Sequence, residues 1–215
     1  MNKEEFIKEL KKINIMLSNK QLEQLDIYYK LLMEWNNKIN LTRITLEKDV
    51  YLKHFYDSLT LSKAIDLRKD FTLCDVGTGA GFPGIVLKIV FPNLNITLVD
   101  ALLKRTNFLN EVIKELGLKN IKAIHTRAED YARLHGEEFD IVTCRAVSKL
   151  SNLLLYCAPL MKKNGYFIAM KANCEEEIKE SLSILKRKQL KIENIIEFNL
   201  PIENSHRTII CIKNK

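Results

Sequence analysis

The chain has 215 residues, of which 47% are hydrophobic and 28% are charged. This balance is typical of a globular protein and excludes a disordered chain or a collagen. No apolar run approaches the roughly 18 residues that a transmembrane helix needs, so we expect no membrane span. Residues 1–12 are charged and lack the apolar core of a signal peptide. Five cysteines without a CxxC pair favour reduced thiols, so we expect a cytoplasmic protein.

The formal net charge of +7 is concentrated in the last third of the chain. Residues 1–66 carry 11 Lys and Arg against 10 Asp and Glu, and residues 67–144 carry 10 of each. Residues 145–215 carry 13 basic residues against 7 acidic ones. A basic excess of this kind steers a polyanion such as RNA toward one face of a protein. A solvated, lysine-rich surface is the alternative.

The first 66 residues contain neither glycine nor proline, which indicates a helical segment. After a first short helix, Ser18 and Gln21 form the signature of a capping box that begins a second one. Residues 35–44 are rich in asparagine, and we expect a structured turn there. A third helix is predicted over residues 45–66. We interpret residues 1–66 as a helical cap that packs on the rest of the chain.

Residues 67–215 are predicted to form a single domain. Trp35 is expected to anchor the cap in the core of that domain. Short apolar segments alternate there with helical ones, which indicates a parallel sheet covered on both faces. The predicted strands cover residues 71–76, 95–100, 121–125, 139–144, 165–170, 191–198 and 207–213. The predicted helices cover residues 84–90, 104–116, 128–134, 151–161 and 175–188. The last two strands are expected to form an antiparallel hairpin, so the predicted fold is an α/β, doubly wound, seven-stranded sheet.

The strongest chemical signal is the loop DVGTGAGFPG, which runs from Asp75 to Gly84 directly after the first strand. Glycines there permit positive φ and a close approach of the backbone to a ligand. Asp100 ends the second strand, where its carboxylate can accept hydrogen bonds from both ribose hydroxyls. The loop also satisfies GxGxxG, so the pattern suits S-adenosylmethionine and NAD alike. A tight turn without a ligand is a further alternative.

Three details favour S-adenosylmethionine. The carboxylate of Asp75 suits the cationic amino-acid part of this cofactor better than it suits a pyrophosphate. Pro83 stands at the start of the following helix, where a pyrophosphate needs free N–H donors. A C-terminal hairpin is typical of class I methyltransferases rather than of dehydrogenases. An NAD-dependent oxidoreductase and an RNA-binding protein with a degenerate cofactor fold remain the alternatives.

Six motifs, spread over both the cap and the sheet, then carry a resemblance to a known family. They are WNNKINLT (35–42), HFYDSL (54–59), DVGTGAGFPGI (75–85), DALLKRTNFL (100–109), RAE (127–129) and CRAV (144–147). Together they resemble the RsmG (GidB) family of bacterial 16S rRNA guanine-N7 methyltransferases. The resemblance implies a class I (Rossmann-like) S-adenosylmethionine methyltransferase sheet with an N-terminal helical extension. It also implies methylation of a single guanine near position 527 of the 16S rRNA in the small ribosomal subunit.

The resemblance further implies roles for individual residues. Asp100 lies near the cofactor ribose, and Arg145 lies beside both the methionine moiety and the target base, as the candidate catalytic residue. The predicted cofactor-binding residues are Asp75, Gly77, Gly79, Gly81, Phe82, Asp100, Ala128, Glu129 and Arg145. The predicted RNA-binding residues are Arg127, Arg207, Lys104 and Arg105. Thr78 stands in the glycine loop where serine is expected.

The chemistry agrees with N7 as the methyl acceptor. Guanine N7 has an in-plane lone pair and no proton, so it can attack the sulfonium methyl in line without a general base. The segment that begins at Thr143 lacks the Asn/Asp-Pro-Pro-aromatic motif of exocyclic-amine methylation. Cys144 is interpreted as a buried thiol rather than as a nucleophile. Arg145 can bind O6, a phosphate or the cofactor carboxylate bidentately, and an ion pair with Asp140 or another neighbouring acid is the alternative.

The sequence says less about the histidines, about metal binding and about the oligomeric state. His54 and Asp57 lie three residues apart and form either a wall of the cofactor or RNA pocket or a contact between cap and sheet. The four histidines are scattered, so we expect no metal site. We also expect a monomer.

Overall fold

The computed structural model describes residues 1–145 and 148–214; Ala146 and Val147 of the CRAV motif and Lys215 lie outside the described residues. The helices of the described part are α1 (Lys3–Lys12), α2 (Asn19–Ile39), α3 (Glu47–Val50), α4 (Asp57–Leu59), α5 (Gly84–Val90), α6 (Leu103–Glu115), α7 (Ala128–Leu134), α8 (Leu150–Tyr156) and α9 (Glu175–Arg187). A π-helical turn (Tyr51–Tyr56) precedes α4, and 3-10 turns follow α4 (Thr60–Lys63) and α8 (Ala158–Leu160). The strands are β1 (Thr72–Val76), β2 (Asn95–Asp100), β3 (Ile121–His125), β4 (Phe139–Arg145), β5 (Met161–Lys171), β6 (Leu190–Asn199) and β7 (His206–Asn214).

The strands form one seven-stranded sheet in the order β3-β2-β1-β4-β5-β7-β6. Strands β1 to β5 are parallel, and β7 is antiparallel to both β5 and β6. The predicted α/β fold is therefore confirmed. The helix predicted over residues 151–161 is too long, because Pro159 cannot donate a helical hydrogen bond and the chain enters β5 at Met161. Across the described residues, no helix is both long enough and apolar enough to span a bilayer.

The N-terminal helices pack on α5 and α6 and share one hydrophobic core with that face of the sheet. The ring of Tyr28 in α2 lies 5.6 Å from that of Phe55 and 5.5 Å from that of Phe82 in the glycine loop, measured between centroids. Trp35 packs on Phe108 of α6 with centroids 5.7 Å apart, as expected for an anchor of the cap. A common core couples the cap to the cofactor-binding face, while the domain boundary after residue 66 stays a prediction.

The capping box that begins α2 is present and also fastens the cap to α5. Ser18 Oγ accepts from the Gln21 amide, and Gln21 Oε1 accepts from the Ser18 amide. The Nε2 group of Gln21 donates to the carbonyls of Ile89 and Val90 at 3.0 Å each. These carbonyls end α5 and lack helical partners, so one glutamine caps two helices.

The turn predicted over residues 35–44 is wrong in its first half, because α2 continues to Ile39. The helix ends at Asn40, which adopts the left-handed conformation with φ of 51°. The side chain of Asn36 then accepts a hydrogen bond from the Thr42 amide at 2.8 Å. Asparagine tolerates the left-handed conformation and bonds to nearby backbone, so the asparagine-rich composition marks a helix end.

The single helix predicted over residues 45–66 is also wrong, because a π-helical turn interrupts it. The amide of Asp57 bonds to the carbonyls of Leu52 and His54 and passes over the carbonyl of Lys53. The Lys53 carbonyl instead accepts a hydrogen bond from Arg145 of β4 at 2.8 Å. Turns of this kind occur often at functional sites. Here Arg145 binds the carbonyl of Lys53, which in a regular helix would accept a hydrogen bond from a backbone amide of the same helix.

The β6–β7 hairpin loop holds a strained residue, Ile202, which is 63% exposed and has φ of 72°. A β-branched residue is disfavoured in this conformation, whereas asparagine tolerates it. We expect Ile202→Asn to raise the free energy of unfolding by about 1 kcal/mol, measured by urea denaturation. Ile195→Asn replaces another exposed isoleucine, within β6, and should not stabilise. An equal change in both variants would contradict the prediction.

Candidate active site

A cavity of about 720 Å³ lies between the glycine loop, the carboxyl ends of β2 and β4, and the cap. Parallel α/β sheets bind ligands at this edge. The sheet side contributes Gly77, Gly79 and Asp100, and Arg145 closes the far end. The cap contributes Thr42, Lys53, His54 and Asp57. The cavity is therefore built by two parts of the chain that are distant in sequence.

The glycine loop has a backbone that only glycine adopts readily. The φ angles of Gly77, Gly79 and Gly81 are 69°, 62° and 97°. A Cβ on Gly81 would lie 2.6 Å from Ile85 Cγ1 and 2.7 Å from the Tyr28 hydroxyl oxygen, so the protein itself fills that space. A Cβ on Gly79 would meet nothing within 4 Å. Gly79 thus lines the cavity and lets a ligand approach the backbone, whereas Gly81 serves packing.

Asp75 lies beneath the glycine loop and is not among the residues that line the cavity, so its predicted role in cofactor binding stays a prediction. The side chain is fully buried, and its Oδ2 atom accepts hydrogen bonds from Thr78 Oγ1 at 2.6 Å and from the Gly84 amide at 2.8 Å. Its Oδ1 atom has no partner within the described part of the chain. Asp75 therefore folds the glycine loop back onto the start of α5. This internal carboxylate occupies the helix end that a dinucleotide pyrophosphate would need.

Asp100 occupies the predicted place at the end of β2, and its side chain is 3% exposed. Its Oδ2 atom accepts from the Gly79 amide at 2.9 Å and from Arg105 Nη1 at 3.3 Å, and Oδ1 accepts from the Leu102 amide at 2.9 Å. These bonds hold the carboxylate against the glycine loop. Arg105, predicted to bind RNA, is thus paired with the candidate ribose-binding residue.

A second lobe of about 220 Å³ adjoins the cavity and shares Asp100 with it. The lobe is lined by Ala128 and Glu129, the residues expected at the adenine. Arg127 is exposed at the rim of this lobe, and Lys104 is exposed at the start of α6. The two lobes meet at the residue expected to bind the ribose, which is the arrangement that a long nucleoside cofactor requires.

Arg145 forms an ion pair, as the alternative interpretation expected, but its partner is Asp57 of the cap and not Asp140. Its Nη1 group donates to the Lys53 carbonyl at 2.8 Å and to Asp57 Oδ2 at 3.0 Å, and Nη2 donates to His54 Nδ1 at 3.0 Å. Asp140 accepts its hydrogen bonds elsewhere. The Nε–H of Arg145 and one N–H on Nη2 have no partner within residues 1–145 and 148–214, and they remain for a ligand oxygen.

Asp57 links two arginines that come from different strands. Its Oδ1 atom accepts from Arg207 Nε at 3.0 Å, while Oδ2 accepts from Arg145. The side chains of Asp57, Arg145 and Arg207 are 7%, 14% and 21% exposed. We name these three residues the arginine clamp. Sequence reasoning singled out Asp57 without assigning a role, because its partners lie 88 and 150 positions away.

His54 is held neutral in one tautomer. Because the Arg145 guanidinium can only donate, the Nδ1 atom of His54 must accept, and the proton resides on Nε2. The Nε2–H group then donates to Thr42 Oγ1 at 3.0 Å. The imidazole stacks on Phe82 with a centroid distance of 4.2 Å and an interplanar angle of 13°. Burial and the charge of Arg145 lower the pKa of His54 to about 3, in agreement with this tautomer.

The pKa values of His54 and Asp75 are shifted so that they affect stability in opposite directions. The pKa of His54 falls from 6.5 to about 3, so the folded state binds fewer protons between these pH values, and acid destabilises it. Burial raises the pKa of Asp75 from 3.8 to about 6. The folded state then keeps a proton that the unfolded chain releases, so a rise in pH through that range destabilises it.

We therefore predict opposite pH trends for two isosteric or near-isosteric variants. The free-energy deficit of His54→Gln relative to the wild type should shrink as the pH falls from 6.5 to 4. The deficit of Asp75→Asn should shrink as the pH rises from 4 to 6. Urea denaturation across this range measures both trends, and His125→Gln, at an exposed histidine, is the control. Parallel pH profiles for all three variants and the wild type would refute the assignment.

Metal ligands and a reactive cysteine are the two other chemistries that the sequence raises. No group of three or more His, Cys, Asp or Glu side chains in the described residues is arranged to hold a metal ion. Cys144 is buried within β4, as predicted for a core thiol. The polar groups that line the cavity thus include the arginine clamp, His54, Thr42, Asp100 and Arg105, together with further threonines and lysines.

The sheet order, the glycine loop after β1 and the acid at the end of β2 define a class I S-adenosylmethionine-dependent methyltransferase. A family described as rRNA small subunit methyltransferase G (GidB) matches residues 21–207. The chain belongs to this family, which confirms the resemblance found in the sequence and decides against the dinucleotide alternative.

The similarity extends over nearly the whole chain. The chain is 50% identical over 218 residues to the ribosomal RNA small subunit methyltransferase G of Bacillus licheniformis, and the alignment covers 100% of this chain and 91% of that protein. It is 49% identical over 216 residues to the Bacillus subtilis protein of the same name, covering 99% and 90%. A solved S-adenosylmethionine-dependent methyltransferase from Aquifex aeolicus aligns with a TM-score of 0.57 at 21% identity, covering 77% of this chain and 93% of that one, and shares the fold.

Proposed function

We propose that this protein transfers a methyl group from S-adenosylmethionine to N7 of a guanine in 16S rRNA, in the region of position 527. N7 is chosen as the methyl acceptor because, among the described residues, the cap side of the cavity presents no group that is free to accept a proton. His54 is neutral with both ring nitrogens engaged, and Asp57 holds two arginines. Neither group is free to take a proton, and N7 methylation releases none.

The described residues fit the methyl donor. Gly77 lines the cavity and Gly79 offers open backbone there, Asp100 lies at the junction of the two lobes, and Ala128 and Glu129 line the smaller one. The bound donor supplies an electrophilic methyl group on a sulfonium, which N7 takes with its lone pair as the sulfur–methyl bond breaks. The contribution of this chain is to exclude water and to orient the base. Arg145 supports that role because it lines the cavity, is held by Asp57 and His54, and keeps two N–H groups without a partner among the described residues.

The rRNA side of the site is proposed from charge and exposure. Arg207 lines the cavity within the arginine clamp, Arg127 is exposed and lines the smaller lobe, and Lys104 is exposed at the start of α6. Basic side chains in these places suit phosphate contacts, which position RNA and weaken with salt. Arg105 contributes charge there while it remains paired with Asp100. We propose that the protein acts as a monomer in the cytoplasm, which light scattering and cell fractionation test.

The proposed function is tested with purified protein, labelled S-adenosylmethionine, and bacterial 30S subunits or 16S rRNA that lack the modification. The expected product is one N7-methylguanine, located by chemical cleavage at the modified nucleotide. Label on another base, or no transfer to either substrate, would refute the proposal. NADH titration should show no binding, whereas calorimetry should show binding of S-adenosylmethionine.

Gly79 offers a sharp test of where the cofactor lies. Gly79 and Gly117 have nearly equal φ angles, 62° and 61°, and a Cβ on either residue meets nothing within 4 Å. Both alanine variants therefore carry the same backbone strain, about 1 kcal/mol. We expect Gly79→Ala to weaken S-adenosylmethionine binding at least about 10-fold, because its Cβ enters the cavity. Calorimetry that shows equal affinities for Gly79→Ala and Gly117→Ala would contradict this placement.

A further inference from the structure

Thr42 carries a hydroxyl group whose hydrogen-bonding role is determined by its neighbours. The Oγ1 atom accepts from the Ile44 amide at 3.0 Å and from the Nε2–H of His54 at 3.0 Å. A hydroxyl has two lone pairs and one proton, and these two bonds use both lone pairs. The hydroxyl of Thr42 can therefore act only as a donor.

The Arg145 guanidinium fixes the direction of the hydrogen bond between His54 Nε2 and Thr42 Oγ1. Arg145 has no acceptor atom, so His54 must accept at Nδ1 and donate at Nε2. The hydrogen bonds at both ring nitrogens, together with the stack on Phe82, hold the ring of His54 in this orientation. His54 and Arg145 thus act as positioning residues for the hydroxyl of Thr42.

The donated proton of Thr42 has no acceptor within the described residues, and Thr42 lines the large cavity. The side chain is half-buried between Leu41 and Ile44, which also line the cavity. A polar group beside apolar neighbours gains more from a hydrogen bond than one in water. The hydroxyl of Thr42 lies on the cap side of the cavity, whereas Gly77, Gly79 and Asp100 lie on the sheet side, so we place the methyl acceptor against Thr42.

We propose that Thr42 selects guanine by donating a hydrogen bond to O6 of the target base. The inference rests on the proposed function, and it explains how guanine is distinguished from adenine. Adenine also has an N7 lone pair, so N7 reactivity does not distinguish the two purines. They differ at C6, where guanine presents an acceptor and adenine an amino donor. A hydroxyl that can only donate forms a hydrogen bond with O6 of guanine, but it forms none with the amino group of adenine.

The experiment combines a protein change with a base change. Thr42→Val removes the hydroxyl at nearly constant shape, and 2-aminopurine at the target position removes O6 while it retains N7. Single-turnover transfer is measured for the wild type and the variant on 30S subunits with either base, assembled on ligated 16S rRNA. With guanine, Thr42→Val should lower the rate constant at subsaturating substrate about 10-fold. With 2-aminopurine, the wild type and the variant should have equal rate constants.

Three controls distinguish a contact with O6 from a change in the shape of the cavity or in cofactor binding. Thr42→Ser keeps the hydroxyl and should retain the difference between guanine and 2-aminopurine. His54→Gln keeps an acceptor for Arg145 and a donor for Thr42, and should retain more of that difference than His54→Ala does. The affinity of Thr42→Val for S-adenosylmethionine should match the wild type.

Two outcomes would overturn the inference. If Thr42→Val slows transfer equally with both bases, the hydroxyl does not act on O6. If its affinity for S-adenosylmethionine falls, the hydroxyl belongs to the cofactor site. Failure of the wild type to methylate the guanine would instead refute the proposed function itself.

Discussion

Replacement of Asp57 with alanine should destabilise the protein and nearly abolish methyl transfer. The substitution leaves two arginines of the clamp without their carboxylate. Removal of one partner from a fully buried pair costs about 3–5 kcal/mol, and the partial exposure of Arg145 and Arg207 reduces this to about 2–3 kcal/mol. Because both guanidinium groups lose their anchor, we expect kcat/KM to fall at least about 100-fold. Urea denaturation and methyl transfer to 30S subunits measure the two effects.

Asp26 provides a matched control for Asp57. It also binds two partners, Lys3 at 2.7 Å and the Tyr51 hydroxyl, but it is 33% exposed and does not line the cavity. Asp26→Ala should lower stability less and leave kcat/KM unchanged. Equal losses of activity in both variants would show that the effect of Asp57 arises from general destabilisation.

Arg145→Ala should abolish transfer at nearly wild-type stability. Asp57 keeps its bond to Arg207, and His54 is neutral without Arg145, so no buried charge is left unpaired. Because we propose that Arg145 orients the base in the cavity, its loss should lower kcat/KM at least about 100-fold. Transfer assays measure this loss, and thermal unfolding measures the stability.

Two further variants define what Arg145 contributes. Arg145→Lys keeps the charge but lacks the planar fork, and we expect its kcat/KM to stay at least about 10-fold below the wild type. Arg207→Ala removes the other arginine of the clamp, and it should weaken RNA binding more than it lowers the single-turnover rate. Wild-type turnover in Arg145→Ala would remove this residue from the proposed mechanism.

The elements that local patterns determine are the ones that the sequence predicts well. Strands β2 and β3 and helices α5 and α7 have the predicted bounds, because each is short and flanked by turn residues. The place of Asp100 at a carboxyl strand end follows from the same pattern. The capping box of α2 is present because it depends on residues only three apart.

Predictions failed where a partner from a distant segment alters the backbone. The helix predicted over residues 45–66 is interrupted because Arg145 takes the carbonyl of Lys53. The sequence likewise does not predict that Asp75 bonds to Thr78 and the Gly84 amide, and its role in cofactor binding stays a prediction. Spacing along the chain shows that a carboxylate follows a strand and does not show which way it points.

The charge distribution illustrates the same division. The seven-stranded α/β fold, the glycine loop, the family resemblance and a basic excess in residues 145–215 are all predictable from the sequence. The folded chain adds that Arg145 and Arg207 of that region meet Asp57, and that His54 is held as a neutral donor to Thr42. The first set arises from interactions between near neighbours in sequence. The second depends on three-dimensional contacts across 88 to 150 positions, which no local pattern records.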